Sequence, residues 1–474
     1  MRAALRRFDL RLALVGVLGL AVRWTAVLVH YRKLSPPPPD LTDNTWYWLQ
    51  SQLLADGKGF ANPLIWYKQC HIDHVSCAVH HSAGKPPLYT MYLAVFHLLG
   101  LDSPLSMRLA SGLLGTAAVV GAGLLARRIS GSDRAGILAA VFAALYPNLW
   151  INDALILSES MYAAVIVGLL WTAYRVVEHP TWGRASAMGA MIGVACLTRS
   201  ESQVLLVLLV APIALWSLRR FDWRRRIGVA AVAVLVALAV VSPWVAKNLT
   251  EFRHPVYLSI GTGFVLDVSN CDSTYYGNLL GYTDVNCSSD DWPEGADESE
   301  IELYLRDHAL DYLSSHKSRI PVVVAARVGR MWNVYRPLQG VDLDVFFERR
   351  GEIPAQMALW SYYALGALAA VGTVAMWRAK RPLMPMAVMV AMVTFTAASS
   401  MPITRYRVAA EVVWVVLAGI GAERLWSRRP LRSASSGSDG PAPSEEEVDG
   451  LQRPHSADTA IDAETTSAIS AVDR

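Results

Sequence analysis

Blocks of about 20 apolar residues recur along most of the chain, and they constrain its fold more than any other feature. A helix of that length crosses about 30 Å of hydrocarbon, where only a helix or a closed barrel satisfies its backbone hydrogen bonds. Charged residues make up only 18% of the chain, against about a quarter in a typical soluble protein. The pattern therefore predicts an all-α polytopic membrane protein. The ten predicted spans are 10–30, 104–126, 135–151, 155–174, 185–198, 202–218, 227–246, 356–377, 382–399 and 408–425.

Positive charge is concentrated at alternate junctions between these spans. Arginine and lysine precede the first span, follow the last, and fill the junctions after the second, fourth, sixth and eighth. Because basic short loops stay in the cytoplasm, we predict a multi-pass protein with both termini cytoplasmic. The Ala- and Arg-rich composition suggests a GC-rich bacterium, so the expected membrane is the plasma (inner) membrane. The first span is too long for the apolar core of a signal peptide and lacks a small-residue cleavage site, so we expect an anchor.

Two further apolar segments, 86–100 and 320–335, would reverse the charge alternation if either one crossed the membrane. We therefore predict that both are helices lying at the outer interface. The same topology predicts two large extracytoplasmic loops, 31–103 and 247–355. Residues 1–430 form the membrane domain. Residues 431–474 are rich in Ser, Ala, Asp and Glu without apolar periodicity, which predicts a disordered cytoplasmic tail.

Four of the five cysteines lie in the two predicted loops. An even number of cysteines in an oxidising compartment favours disulfides. Pairing within each loop is the simplest of the three possible connectivities, and it gives the pairs Cys70–Cys77 and Cys271–Cys287.

Ionisable side chains in or beside the spans collect on the predicted outer side. Such side chains are costly in lipid and point to a functional site. Several of them also have a structural interpretation. Asp43 fits the N-cap of a helix, Glu159 and Arg199 fit an ion pair, and Arg405 and Arg407 fit lipid-headgroup anchors. The set comprises Arg23, Asp43, Lys85, Asp153, Glu159, Arg199, Glu201, Arg405 and Arg407.

Histidines surround the first cysteine pair and raise the question of a metal. The His-x2-His spacing of His71 and His74 is not a strong zinc signature, and a disulfide explains the cysteines better. We therefore predict no metal site here. The sequence requires no cofactor and leaves a divalent metal open.

A series of short motifs occurs in a fixed order within residues 10–425. They are Asp43-x3-Tyr47, Leu54-Ala-Asp-Gly57-x-Gly59-Phe60, Gly84-Lys85-Pro86-Pro87-Leu88-Tyr89, Met107-Arg108-Leu109, Ala144-Leu-Tyr-Pro147, Leu157-Ser-Glu159, Leu197-Thr-Arg199, Ser242-Pro-Trp244-x3-Asn248 and Arg405-Tyr-Arg407. Together they resemble the polyprenyl-phosphate-sugar-dependent glycosyltransferases of the GT-C fold, such as the protein O-mannosyltransferases and the lipid A aminoarabinose transferases. Each motif alone is weak, and their shared order is what makes the resemblance specific.

The resemblance implies an enzyme that moves a sugar, by inverting transfer at the extracytoplasmic face, from a polyprenyl-phosphate donor to a protein, glycan or lipid acceptor. It implies that membrane lipids are further partners and that nucleic acid is not a partner. It also implies that Asp43 is the catalytic base. Many relatives carry a second acid beside this position, whereas the neighbours here are Thr42 and Asn44. The donor phosphate would bind Lys85, Arg199, Arg405 and Arg407, and the same cavity would contain Tyr47, Asp153, Glu159 and Asn248.

Two other classes of protein fit the composition. A membrane transporter or lipid flippase of cell-envelope assembly is the main alternative, and a non-catalytic scaffold of that assembly is the other. Transporters usually carry internal repeats, broken helices and charges at the bilayer midplane. This chain shows no repeat and places its polar residues at one rim, which favours the glycosyltransferase.

Overall fold

The computed structural model describes residues 2–32, 42–74 and 77–427. The predicted tail at 431–474 lies outside these residues. The described ranges are helical and contain no β-strand, apart from one isolated bridge between Ala61 and His81. The predicted all-α fold is therefore correct for the described chain.

The helices are numbered in chain order. Those of the first half are α1 (Arg2–Ala26), α2 (Asp43–Ala55), α3 (Pro63–Tyr67), α4 (Pro87–Leu98), α5 (Pro104–Ser130), α6 (Asp133–Leu145), α7 (Pro147–Ala154), α8 (Glu159–Glu178), α9 (Trp182–Thr198), α10 (Leu205–Leu208), α11 (Val210–Pro212) and α12 (Trp223–Glu251). Those of the second half are α13 (Thr262–Asp267), α14 (Asp272–Tyr275), α15 (Glu298–Ser315), α16 (Ile320–Met331), α17 (Pro337–Glu348), α18 (Glu352–Arg378), α19 (Met384–Ser399) and α20 (Val408–Ser427). Short 3₁₀ and π turns join several of them, including Ser200–Val204 and Thr404–Arg407.

Each of the ten predicted spans coincides with helical structure, and the protein is a multi-pass membrane protein. Among the described residues, six helices are long and apolar enough to cross a membrane on their own, or seven if the bent pair α6 and α7 counts as one. The predicted spans at 185–198, 382–399 and 408–425 coincide with α9, α19 and α20, which are not among these six. The six are Arg7–Tyr31, Pro104–Ser130, Glu159–Glu178, Ser200–Ser217, Trp223–Glu251 and Glu352–Arg378.

The third predicted span is not one straight helix. The chain bends by 47° between α6 and α7, because Tyr146 adopts an extended conformation before Pro147. Proline disfavours a helical conformation in the residue before it and is well placed as the first residue of a new helix. All eight residues of α7 are buried, so this bend directs a short buried helix toward the site described below.

The two segments predicted to lie at the interface form α4 and α16. Each has 12 residues. At 1.5 Å per residue such a helix is about 18 Å long, which is well short of the hydrocarbon thickness. Their lengths agree with the prediction that neither spans the membrane.

Glycines allow a close contact between α18 and α20. A Cβ atom at Gly372 would lie 2.0 Å from the Leu417 carbonyl oxygen, and one at Gly421 would lie 2.0 Å from that of Leu368. Only glycine permits the two backbones to approach this closely, as is common between membrane helices. This contact fixes the position of α20, whose first turn follows Arg405.

The two long loops pack against each other. The Glu298 carboxylate accepts hydrogen bonds from Asn62 Nδ2 at 2.7 Å, from Ser82 Oγ at 2.9 Å and from the Ala83 amide at 3.3 Å. The Ile260 amide also donates to the Ala83 carbonyl at 2.8 Å. These bonds join the first loop to the second next to Lys85.

Each loop also contains one disulfide between cysteines that are close in sequence. The structure contains both bonds, in the local pairing that the sequence favoured, Cys70–Cys77 and Cys271–Cys287. Cys196 is buried and free.

Candidate active site

A cavity of about 620 Å³ opens between the two loops and the helix ends that carry them. Part of its wall is charged, and part is apolar, with Phe264, Val265, Phe347 and Phe395 among the lining side chains. Its walls are drawn from the segments 42–47, 84–86, 155–158, 198–204, 259–268, 282–285, 347–349 and 395–406.

Asp43 is the first residue of α2 and points into this cavity. The extended residue before it, Thr42, occupies the N-cap position, so Asp43 is not the N-cap that the sequence also allowed. Tyr47 lies one helical turn further on and lines the same cavity. It packs edge-on against Tyr89, with ring centroids 5.0 Å apart, and burial raises its pKa to about 12.

The Asp43 carboxylate bridges two cations. Its Oδ1 atom lies 2.7 Å from Lys85 Nζ, and its Oδ2 atom accepts a hydrogen bond from Arg405 Nη2. Burial acts to raise the pKa of Asp43, but the charges of Lys85 and Arg405 outweigh it and hold that pKa well below its usual range. The side chains of Asp43 and Lys85 remain 25% and 29% exposed, so both can be reached from the cavity.

Arg405 contacts a second acid that the sequence analysis did not identify. Glu348, the last residue of α17, places Oε2 3.1 Å from Arg405 Nε. Burial raises the pKa of Glu348, although the Arg405 charge acts in the opposite direction. No local pattern marks this glutamate, because its contact is with Arg405, which is far away in the sequence. Asp43 and Glu348, from different loops, thus share Arg405 as a partner.

Arg199 forms the other charged part of the wall. It pairs with Glu159, the first residue of α8, and with Glu201 in the following turn. Its guanidinium also lies over the Tyr406 ring, 4.6 Å from the centroid. Glu159 is fully buried behind this pair, with Oε1 3.8 Å from Arg405 Nε. The ion pair considered from the sequence is therefore present, and it also borders the cavity.

Four of the predicted site residues do not line the cavity: Glu159, which lies behind Arg199, and also Arg407, Asp153 and Asn248. Arg407 is buried, with Nε 2.5 Å from Glu411 Oε1, so we remove it from the phosphate-binding set. Asp153 pairs with Arg23 at 2.7 Å inside the helix bundle. Asn248 is fully buried near the end of α12 and is not among the residues that line the cavity. The burial of Arg405 and Arg407 also excludes the headgroup-anchor interpretation for both.

The structure offers no metal site among residues 2–32, 42–74 and 77–427. No group of three or more His, Cys, Asp or Glu side chains in these ranges has the geometry to hold an ion. His71 packs against Trp66 and Tyr67 instead.

Known proteins share parts of this sequence and fold. The model of the family described as dolichyl-phosphate-mannose-protein mannosyltransferase matches residues 84–246. No curated protein matches the chain.

Among solved structures, the archaeal oligosaccharyltransferase AglB from Archaeoglobus fulgidus, in complex with an inhibitory peptide and a dolichol-phosphate, has a TM-score of 0.53 at 14% identity, over 89% of this chain and 50% of that one. An Archaeoglobus fulgidus oligosaccharyltransferase tethered with an acceptor peptide has a TM-score of 0.51 at 14% identity, over 90% of this chain and 52% of that one. ArnT from Cupriavidus metallidurans in the apo state has a TM-score of 0.39 at 16% identity, over 89% of this chain and 78% of that one. That TM-score is too low to support the fold assignment.

The chain spans about half the length of the archaeal oligosaccharyltransferase, and the likeness to it is one of fold. The resemblance carried by the short motifs is supported by the family match over residues 84–246. The chain accordingly resembles the polyprenyl-phosphate-sugar-dependent glycosyltransferases in sequence and has their GT-C fold.

Proposed function

We propose that the protein is an integral membrane glycosyltransferase that moves a sugar from a polyprenyl-phosphate donor to an acceptor hydroxyl. One observation carries the proposal: the carboxylate of Asp43 lies between Lys85 and Arg405 in a cavity whose remaining wall is partly apolar. A lipid-linked sugar phosphate needs cations for its phosphate, a base for the acceptor and apolar surface for its chain. The family match and the fold support the same assignment.

The residues suit group transfer from a phosphate. The Asp43 carboxylate takes the proton of the acceptor hydroxyl while the oxygen of that hydroxyl attacks the anomeric carbon of the sugar. The bond from that carbon to the phosphate oxygen breaks, and the electron pair stays on the phosphate. Phosphate leaves without a general acid, so one base is sufficient, with an expected contribution of about 10²–10⁴ in rate. Attack opposite the leaving group inverts the anomeric configuration.

The cations stabilise the charge that develops on the leaving phosphate. Arg405 presents a planar fork of donors, and Lys85 presents a point charge. The two cations contact different carboxylate oxygens of Asp43. Arg199 is paired with Glu159 and Glu201 but, unlike Arg407, it lines the cavity, so we assign it the same role at the edge of the site.

We further propose that transfer takes place at the extracytoplasmic face of the plasma membrane. Each of the two loops that form the cavity follows a predicted span, and the segment before that span is basic. Because basic segments stay in the cytoplasm, the loops are expected on the opposite side. Nucleotide sugars are confined to the cytoplasm, which explains why the donor would be carried by a lipid. The transferred sugar is a hexose or pentose, and the acceptor is a protein, glycan or lipid.

Reconstitution tests the proposal directly. Purified protein in liposomes that contain a polyprenyl-phosphate donor with a labelled sugar is mixed with an envelope extract, and lipid and acceptor fractions are separated. We expect label in the acceptor fraction, together with released polyprenyl phosphate. Label that only changes leaflet would instead identify a transporter or flippase.

The variant Asp43→Asn should lower transfer at least about 100-fold, because the neutral amide cannot take a proton. The matched control is Asp56→Asn, which removes the same charge at the exposed C-terminal end of α2 and should leave transfer unchanged. Near-normal transfer by Asp43→Asn would remove Asp43 as the base.

A further inference from the structure

The cations that would bind the donor phosphate are already engaged in this structure. Lys85 and Arg405 each hold one oxygen of Asp43, and Arg405 also contacts Glu348 at 3.1 Å. The contacts around the cavity join three cations, Lys85, Arg199 and Arg405, to four carboxylates. An incoming phosphate therefore meets cations that are paired, and it must compete for them.

The same pairing restrains the base. With a cation on each oxygen, the pKa of Asp43 is held well below its usual range, so the carboxylate is a weak proton acceptor. A phosphate that takes over Lys85 and Arg405 would release Asp43 and restore its basicity. Binding of the donor and activation of the base would then be one event.

We propose that Asp43 has a second role, as an internal competitor that occupies the phosphate-binding cations Lys85 and Arg405 whenever no donor is bound. This inference takes the identity of the ligand, a polyprenyl phosphate, from the proposed function. The contacts that carry it are the two that Asp43 makes through its opposite oxygens, since the carboxylate offsets the positive charge of both cations while these contacts persist.

The reaction itself drives the exchange. The donor phosphodiester carries one negative charge, and the monophosphate that leaves carries nearly two, because its second pKa is near 6. At that moment Asp43 holds the acceptor's proton and is neutral, so both cations stay with the phosphate. When the proton passes to water, the Asp43 carboxylate is restored and competes again for Lys85 and Arg405. The competitor therefore expels the spent lipid phosphate.

Equilibrium binding to the full-length protein in detergent tests this inference without acceptor or sugar. The probe is farnesyl phosphate, a short polyprenyl monophosphate, and farnesol is the matched compound without phosphate. We expect Asp43→Asn to bind farnesyl phosphate about ten times more tightly than the wild type, as follows if the paired state occupies about nine-tenths of the free protein. Farnesol binding should not change.

Three variants make the result specific. Asp43→Glu keeps a carboxylate and should bind farnesyl phosphate within about twofold of the wild type. Asp56→Asn removes an equal charge outside the cavity and should not alter binding. Asp43→Ala should gain affinity as Asp43→Asn does, and thermal unfolding of each variant shows that it is folded.

Equal or weaker binding of farnesyl phosphate by both neutral variants would overturn the inference, and so would an equal gain for farnesol. The proposed function fails separately, if reconstituted wild-type protein transfers no sugar. A protein without transferase activity can still show the gain in phosphate affinity, and an active transferase can lack it.

Discussion

Lys85 brings an ammonium group to the cavity from the turn before α4, where it contacts Asp43 and stays 29% exposed. We expect Lys85→Met to raise the KM for the donor about 10- to 100-fold, since a hydrogen bond to a charged group contributes about 1.5–3 kcal/mol. The KM for the acceptor should stay the same. Initial rates at varied donor and acceptor concentrations measure both constants. Lys58→Met is the matched control, because Lys58 lies in the same loop but over the Trp66 ring.

A donor KM that is unchanged in Lys85→Met would remove this lysine from the phosphate site. A rise in both constants together would indicate a general disturbance of the loop instead.

Gly84 sets the position of Lys85 through its contact with Trp46. A Cβ atom at residue 84 would lie 2.6 Å from Trp46 Cζ2, so an alanine must displace either the ring or the turn. We expect Gly84→Ala to lower transfer at least about tenfold, and Trp46→Leu in the same chain to restore much of it, because the smaller side chain makes room. The transfer assay measures all three proteins.

Gly183→Ala is the control, since a Cβ atom there meets nothing within 4 Å. Wild-type activity of Gly84→Ala alone would show that the turn at Lys85 tolerates movement, which contradicts a rigid phosphate site.

Residue chemistry alone identified part of the site. Asp43, Lys85, Arg199 and Arg405 were expected together and do line one cavity. Arg407 was grouped with them through the family resemblance, although Glu411 stands four residues later, the spacing that pairs side chains on a helix. That spacing was a usable signal. Glu348 offered none, because its neighbour Arg405 lies 57 positions later and the contact depends on how the second loop folds.

At the scale of elements, a buried ion pair joins α1 to α7. Arg23 Nε lies 2.7 Å from Asp153 Oδ2, both side chains are at most 1% exposed, and a Cβ atom on Gly115 of α5 would overlap the carboxylate. We expect Arg23→Leu to destabilise the protein strongly, because it leaves Asp153 charged and unpaired inside the bundle; loss of one partner of such a pair costs about 3–5 kcal/mol. Thermal unfolding in detergent measures this loss.

The double variant Arg23→Leu, Asp153→Leu should regain much of the lost stability, since an apolar pair replaces two buried charges. If the double variant is no more stable than Arg23→Leu, the charge of Asp153 is not the cause. Transfer activity in a folded double variant would further separate Asp153 from the catalytic residues.

Apolar blocks located the elements better than they located their ends. The segment 135–151 reads as one span, yet the helix ends at Leu145 and a new one begins at Pro147. The proline was a visible signal for this break. The turn after α7 was not visible, because it places Ile156, a β-branched residue, at a φ of 54°, a conformation that its sequence disfavours. Packing of the fully buried Ile156 side chain maintains that turn beside the cavity.

At the scale of the whole molecule, the site depends on two loops that are far apart in sequence. Glu298 holds them together through Asn62, Ser82 and the Ala83 amide, directly before the turn that carries Lys85. Charge alternation predicted that both loops lie on one side of the membrane, which is a necessary condition for this contact. It could not predict the contact itself, because polar side chains that meet across loops follow no period in the sequence.

Which side of the membrane the loops face is the remaining prediction, and the chemistry depends on it. Single cysteines at Asp56 in the first loop and Asp307 in the second are expected to react with a membrane-impermeant maleimide in intact cells. Both positions are well exposed, at 62% and 64%. A cysteine at Asp133, which is 49% exposed at a basic junction, should react only after the membrane is permeabilised. The unmodified protein is the background control, because its free Cys196 is buried.

Labelling at Asp133→Cys in intact cells, with none at the two loop positions, would show that the protein has the opposite orientation in the membrane. The cavity would then face the cytoplasm, where nucleotide sugars are available and a lipid-linked donor has no advantage. The expected result instead places Asp43 where a sugar can arrive only on a lipid carrier. The sidedness measurement therefore tests the reason for the donor as well as the orientation of the chain.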